Sequence, residues 1–265
     1  GMQALIVYFM VQRLGFDDTR ATLVWGAAAA LIYVAPAIGG WIGDKVLGTR
    51  RCMVIGAIVL SLGYALMGIP TVDTWLVFSA LGVIVVGNGL FKPNTANLVR
   101  KIYEGDDAKI DSAFTIYYMA VNVGSTVSML ATPAIKDHFN ATSGGDLGWH
   151  MAFAVCSVGL WVGLLTVGVL RRTVQHIGSP PDEFPLDWGK LALVLAGGAA
   201  LSQSVPDDAQ IAGIVVAANQ VDIDAGKLAG KTSGNAEVKA FARQMVTDHS
   251  GVNKQALALV KKLKL

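Results

Sequence analysis

The sequence predicts an all-α membrane protein that crosses the bilayer several times and ends in a short soluble pair of helices. Three observations predict it. Five apolar runs, 21–43, 52–70, 75–99, 113–135 and 150–170, equal or approach the roughly 20 residues that an α-helix needs to span. Hydrophobic residues make up 53% of the chain and charged ones 15%, with a mean hydropathy of +0.52 that is high for a soluble domain. After residue 205 the pattern changes to soluble and amphipathic.

In chain order, residues 2–12 come first. They are apolar but make only half a span, so the chain looks cut at its amino end. The loops between the later runs set an orientation. Loops 44–51, 100–112 and 171–178 hold Lys45, Arg50, Arg51, Arg100, Lys101, Lys109, Arg171 and Arg172; the other side holds Arg13, Arg20 and Lys136. Eight against three puts the first set in the cytoplasm and predicts six crossings with both ends inside. Gly39 with Gly43, and Gly159 with Gly163, have the four-residue spacing that lets membrane helices pack closely. Cys52 and Cys156 lack metal-ligand spacing and read as small packing residues.

The run 75–99 contains a single charge, Lys92. A charge at membrane depth is costly unless it faces a water-filled cavity or a partner, which makes Lys92 a candidate functional residue. The competing expectation is a lysine near a helix end whose amine snorkels to the headgroups. Pro93 weakens the helix locally, and Asn94, Thr95 and Asn97 continue a polar stripe, which favours a cavity. On the next run, Tyr118 and Asn122 are four apart and share one helix face. The turn GGWIGDKVLGTRR (39–51) brings Asp44 near Arg50 and Arg51, where charge pairs can form on the cytoplasmic face.

That Gly-Gly-x-x-x-Asp turn resembles the loop between the second and third helices of major facilitator transporters, where it helps gate the inner side. FTIYYMAVNVGS (114–125) is similar to the fifth-helix signature of the proton-dependent oligopeptide transporters, a branch of that superfamily. Gly1-Met2 before an apolar helix, YVAPAIGGWIGDKVLG (33–48) and GNGLFKPN (87–94) agree in order and spacing, so the resemblance covers residues 1–190. It implies the six-helix amino-terminal half of a major facilitator fold over 1–172, with the first helix truncated. It also implies proton-coupled symport of di- and tripeptides. Tyr33, Lys92, Tyr118 and Asn122 would line half of the peptide cavity, with Lys92 facing the peptide carboxylate or a first-helix carboxylate. There Tyr118 and Asn122 can hydrogen-bond a peptide backbone; the alternative is a bond to a neighbouring helix. Asp44, Arg50 and Arg51 would belong to the gate.

The departures carry weight too. The family's Glu-x-x-Glu-Arg stretch before Tyr-Gly-Met has no counterpart, and the carboxy-terminal six helices are missing. Apart from Lys92 the spans hold no well-buried ionisable group, since His150 and Asp44 lie at edges. A proton-coupled cycle needs a titratable acid in the membrane. The expectation is half a transporter, inactive alone.

Residues 173–205 form a loop and a short apolar segment. The prolines of 171–188 mark a break, and the run 191–201 is only eleven residues, too short to span. It reads either as the extra helix that bacterial peptide transporters insert between their halves, or as a signal-peptide core with Lys190 before it and Ala200 and Ser202 at the cleavage positions. Residues 206–265 read as an amphipathic hairpin. Ile211, Ile214, Ala218, Val221, Ala225 and Leu228 form one apolar stripe; Val238, Phe241, Ala242 and Met245 form the second, after an Asn235 cap. This tail resembles the first helical pair of a bacterial, predicted-exported, ferritin-like family of unknown function, most distinctively at MVTDHSGVN (245–253). One adjacent pair, Asp248 and His249, cannot build a bundle metal site. Two incomplete proteins joined at a compartment mismatch read as a chimera.

Phosphate-cradling loops, zinc constellations and nucleophile elbows are missing from the sequence, so no enzyme, cofactor or metal is expected. A net charge of +2 without a basic, aromatic-laced stripe gives no sign of nucleic acid. The expected partners are the lipid bilayer, small peptides, protons and the missing carboxy-terminal half. The expected location is the inner (cytoplasmic) membrane, multi-pass, with 206–265 cytoplasmic if no further crossing follows. The competing function is a membrane-anchored or exported ferritin-like bundle with a non-transport role.

Overall fold

A computed structural model of the chain describes residues 2–143, 145–203 and 208–263, and every regular element among them is helical. The elements are α1 (Met2–Gln12), α2 (Asp18–Ile42), α3 (Thr49–Met67), α4 (Thr74–Ile102), α5 (Asp107–Ser143), α6 (Leu147–Val169), α7 (Arg171–Val174), α8 (Trp188–Gln203), α9 (Asp208–Thr232) and α10 (Ala236–Leu263). A π-turn, Gly43–Leu47, continues α2, and a 3-10 turn, Pro180–Glu183, precedes α8. Among the described residues, α2 with its π-turn, α3, α4, α5 and α6 are each long and apolar enough to cross a membrane.

Two apolar clusters hold opposite ends of the bundle. At one end Phe9, Ile6 and Met10 are fully buried, and Phe9 meets Phe153 edge-on with centroids 5.4 Å apart. Although α1 is half a span, that face anchors it to α6. His150 lies at the edge of its span, in the first turn of α6, and is buried against this cluster. It is 5% exposed, its ring stands edge-on to Phe9, and Nδ1 lies 3.0 Å from the Met67 carbonyl. The first turn of α6 tucks against the last turn of α3, which closes water out. Ser61 of α3 and Ser157 of α6 then share a buried hydrogen bond, Oγ to Oγ 2.8 Å.

At the other, basic end, Leu47, Cys52 and Leu90 are buried, with Leu186, Leu191 and Val194 packed on them. The run 191–201 therefore lies within a 16-residue helix packed on α4. The side chains of Ala200 and Ser202 lie outside the described residues.

Glycine spacing is used on one helix and idle on another. A Cβ on Gly39 would stand 1.9 Å from the Gly89 carbonyl oxygen, so only glycine permits this approach of α2 to α4. Gly159 and Gly163 face open space instead. Pro93 does not interrupt α4. Asn94 Nδ2 donates to the Leu90 carbonyl at 2.7 Å and Thr95 Oγ1 to the Phe91 carbonyl at 2.8 Å, each bonding back one turn within α4.

The α9–α10 hairpin departs from its expected stripes. Ile223, Gly226, Ala242 and Asn253 fill the seam, while Val221, Ala225, Leu228, Val238 and Phe241 are exposed. The helices meet over small residues, and the larger apolar ones are left on the flanks. Ala242 and the half-buried Met245 keep their expected inward places. The side chains of Ile211, Ile214 and Ala218 lie outside the described residues. Asn235 does cap α10, accepting the Glu237 amide at 2.8 Å.

Candidate functional site

Lys92 stands ten residues before the end of α4, about 15 Å along the axis. That is too deep for its amine to reach the helix end. Its Nζ lies instead 5.5 Å from the ring centroid of Tyr33 on α2, a cation–π approach. Tyr33 is 72% exposed and Lys92 is exposed beside it, so the pair looks onto an open face. The structure brings these two candidates together.

Tyr118 and Asn122 share the exposed face of α5, as their spacing predicts. Tyr118 is 58% exposed and stacks on Phe114, with centroids 6.1 Å apart. Among the contacts of the described residues, none joins Tyr118 or Asn122 to Lys92 or Tyr33. α5 packs mainly on α6, and Thr132 is its one buried side chain among those described.

The polar stripe beyond Pro93 does not line the cavity. Asn94 is fully buried and donates to the Gly39 carbonyl at 2.9 Å, and its Oδ1 lies where a Gly43 Cβ would stand. Thr95 serves its own helix. Asn97 donates to Asp44 Oδ1 at 2.8 Å. Asn94 and Asn97 tie α4 to α2 and its π-turn, where the two helices approach at glycine.

The expected charge pairs within the 39–51 turn are likewise replaced. Asp44 accepts from Asn97 and, at 3.3 Å, from Thr49 Oγ1. Arg50 and Arg51 turn away from it to the segment before α8. Arg50 donates to the Gln175 and Ile177 carbonyls; Arg51 donates to those of Pro181, at 2.9 Å, and Phe184. That segment returns bonds of its own. Asp182 Oδ2 accepts the Arg50 amide at 3.0 Å and Oδ1 the Arg51 amide at 3.2 Å. Ser179 Oγ accepts the Thr49 amide at 2.9 Å and donates to the Gly43 carbonyl at 2.7 Å. Sequence reasoning missed Ser179 and Asp182, which lie about 130 residues from the helix they touch. The available signal was the Ser179-x-x-Asp182 spacing of a capping box, which the structure shows formed at the 3-10 turn.

The sequence profile of the POT family (PTR2) matches residues 50–243, most of the chain. The chain belongs to the POT family. It is 46% identical over 201 residues to the dipeptide and tripeptide permease B of Aeromonas hydrophila, covering 76% of this chain and 38% of that one. It is 43% identical over 202 residues to the dipeptide and tripeptide permease A of Proteus mirabilis, covering 76% of this chain and 40% of that one. The structure superposes on the crystal structure of tetrameric PepTSo2 with a TM-score of 0.77 and 58% identity, over 90% of this chain and 52% of that one. A POT family transporter in complex with 5-aminolevulinic acid follows at a TM-score of 0.66 and 25% identity, over 91% of this chain and 52% of that one. The chain spans about two fifths of these curated relatives and half of the solved structures. It is an all-α, multi-pass membrane chain of a transporter family, with the helices of one half of a major facilitator fold.

Proposed function

We propose that this chain is the amino-terminal half of a proton-coupled di- and tripeptide symporter, and that it does not transport by itself. The observation that carries the reading is the Tyr33–Lys92 pair. It sets a lysine amine beside an aromatic ring on an open face of a helix of membrane-spanning length, where it would meet a peptide carboxylate. Tyr118 and Asn122, open on α5, would add hydrogen bonds to the peptide backbone from the same half of the cavity. Relatives named dipeptide and tripeptide permeases support the substrate class. The basic end, with Lys45, Arg50, Arg51, Arg100 and Lys101, would face the cytoplasm, where the 39–51 turn would gate the inner side.

The test is dialanine-dependent quenching of Trp25 or Trp41 fluorescence in detergent. Quenching in the native chain, and its loss in Lys92→Ala, is the expected result. A folded sample with no response removes the half-site.

A second reading concerns 206–265, in which the tail is an unrelated helical module fused to the transporter half and lying in the cytoplasm. What supports it is the seam of α9 on α10 and the change in composition after 205, although α9 also packs on α2. The family match, reaching residue 243, weighs on the other side. Expression of 206–265 alone separates them: an independently folded pair with a protected seam supports a module, and an unfolded peptide refutes it.

A further inference from the structure

We infer that Ser179 and Asp182 are positioning residues of the inner gate, forming a latch that caps α3 in trans and fixes the 39–51 turn. The inference rests on the gate assignment proposed above.

A helix begins with backbone amides that have no partner within it, and a side chain just ahead of the helix usually meets them. Here the residue ahead of α3 is Gly48, which has no side chain to offer. Three successive amides, of Thr49, Arg50 and Arg51, are taken instead by Ser179 and Asp182. The carboxylate also suits the positive end of the helix dipole. It is held in turn by the Ser179 amide, 3.1 Å from Oδ2.

The fit leaves no slack. A Cβ on Gly48 would fall 2.3 Å from Asp182 Oδ1, and one on Gly178 would fall 2.5 Å from Oδ2. Both glycines are the space that the carboxylate occupies. Ser179 reaches the other way as well, to the Gly43 carbonyl at the start of the π-turn. The latch therefore grips both sides of the bend between α2 and α3. Arg50 and Arg51 close it by binding carbonyls of the same segment. Because α8 follows directly, packed on α4, movement of the turn and of the segment before α8 is one event.

Cys52 reports on the latch. It is fully buried one turn into α3, with Leu186 and Leu191 packed on its cluster. Cys156 on α6 is an internal reference. The experiment is N-ethylmaleimide labelling of both cysteines in membranes holding the full chain, read by mass spectrometry. Asp182→Ala and Ser179→Ala should raise the Cys52 rate about tenfold, the effect of losing one helix cap, and leave Cys156 unchanged. Ser179→Thr should restore slow labelling, and Glu183→Gln, exposed in the same turn, should change nothing. If Asp182→Ala does not fold, Gly178→Ala displaces the carboxylate by crowding and should give the same pattern.

An unchanged Cys52 rate in the alanine variants overturns the latch. So does an equal rise at both cysteines, because that is general loosening. Dialanine asks the separate question. A Cys52 rate that answers to Asp182→Ala but not to dialanine, in every variant, keeps the latch and removes the peptide gate.

Discussion

Replacing Gly39 by alanine tests whether the α2–α4 seam holds the candidate site. The added Cβ would meet the Gly89 oxygen at 1.9 Å and its carbonyl carbon at 2.5 Å. Both are backbone atoms in the middle of a helix, so no rotamer change relieves the clash. Ordinary contact begins near 3.4 Å, and the helices must part by about 1.5 Å or tilt. Overpacking of this kind costs about 1–3 kcal/mol. Parting also stretches the bond from Asn94 Nδ2 to the Gly39 carbonyl, worth about 0.6 kcal/mol for interhelical polar contacts in membranes. Alanine returns up to about 1 kcal/mol of helix propensity. The net loss is about 1–3 kcal/mol, a fall in Tm of roughly 2–12 °C for a chain this size. Tryptophan emission during heating in detergent measures it, with Gly124→Ala as the matched control because a Cβ there meets nothing within 4 Å. If Gly39→Ala unfolds at the temperature of Gly124→Ala, the close approach of α2 to α4 is wrong, and the Tyr33–Lys92 pairing built on it falls too.

Tyr33→Phe keeps an aromatic face for Lys92 and should retain dialanine quenching, whereas Tyr33→Ala should weaken it by the roughly 0.5–1 kcal/mol of an exposed cation–π contact; equal affinities in a titration of the two variants would refute the pairing. A double-mutant cycle on Ser61→Ala and Ser157→Ala should return a coupling of about 0.6 kcal/mol in thermal unfolding, and additive effects would mean the hydroxyls do not bond across α3 and α6. Before α5, Lys109 holds the Asp106 carboxyl below the usual carboxylate range, by its side chain at 2.8 Å and its amide at 3.2 Å. A depressed folded pKa stabilises above the unfolded value of about 4 and loses that contribution as pH falls through the lower one. Hydrogen exchange at the first turn of α5 should therefore show no Asp106-dependent difference in protection between pH 5 and 8, and lose the Asp106-dependent part of its protection only below about pH 4. Loss of that part between pH 5 and 7 would contradict the assignment.

Helix number and place were legible because apolar length is a strong signal, and each long helix falls within a few residues of its run except α5. That helix runs to 37 residues because its polar ends stay helical, which hydropathy cannot register. Lys92 was legible as a lone charge, and Tyr33 only through family resemblance. What the sequence misdirected was the destination of small polar side chains. Asn94, Thr95 and Asn97 look like a cavity stripe after Pro93, yet each is spent on a carbonyl or on Asp44. A stripe of residues three or four apart names a helix face, not the neighbour it meets. The same gap hid Ser179 and Asp182, whose partners are set by a contact between segments about 130 residues apart.

The two ends of the bundle are held by different physics, and that difference says which end can move. At the α1–α6 end the contacts are mainly apolar, among Phe9, Phe153, Trp149 and Met10, with His150 bonded to the Met67 carbonyl beside them. Separating such a surface exposes apolar area throughout the motion, with nothing to replace it until water fills the gap. At the basic end, the ties are buried and half-buried hydrogen bonds: Asn97, Ser179, Arg50 and Arg51 donate to carboxylate or carbonyl oxygens, and Asp182 accepts from backbone amides. Once the segment before α8 lifts, each of these bonds has a water to replace it, because a water-mediated bond is nearly as good as a direct one. Opening there proceeds through partly satisfied states rather than one large barrier. A rocking half that pivots on its aromatic end and releases its polar end would place the moving part at the 39–51 turn, where the latch residues hold it.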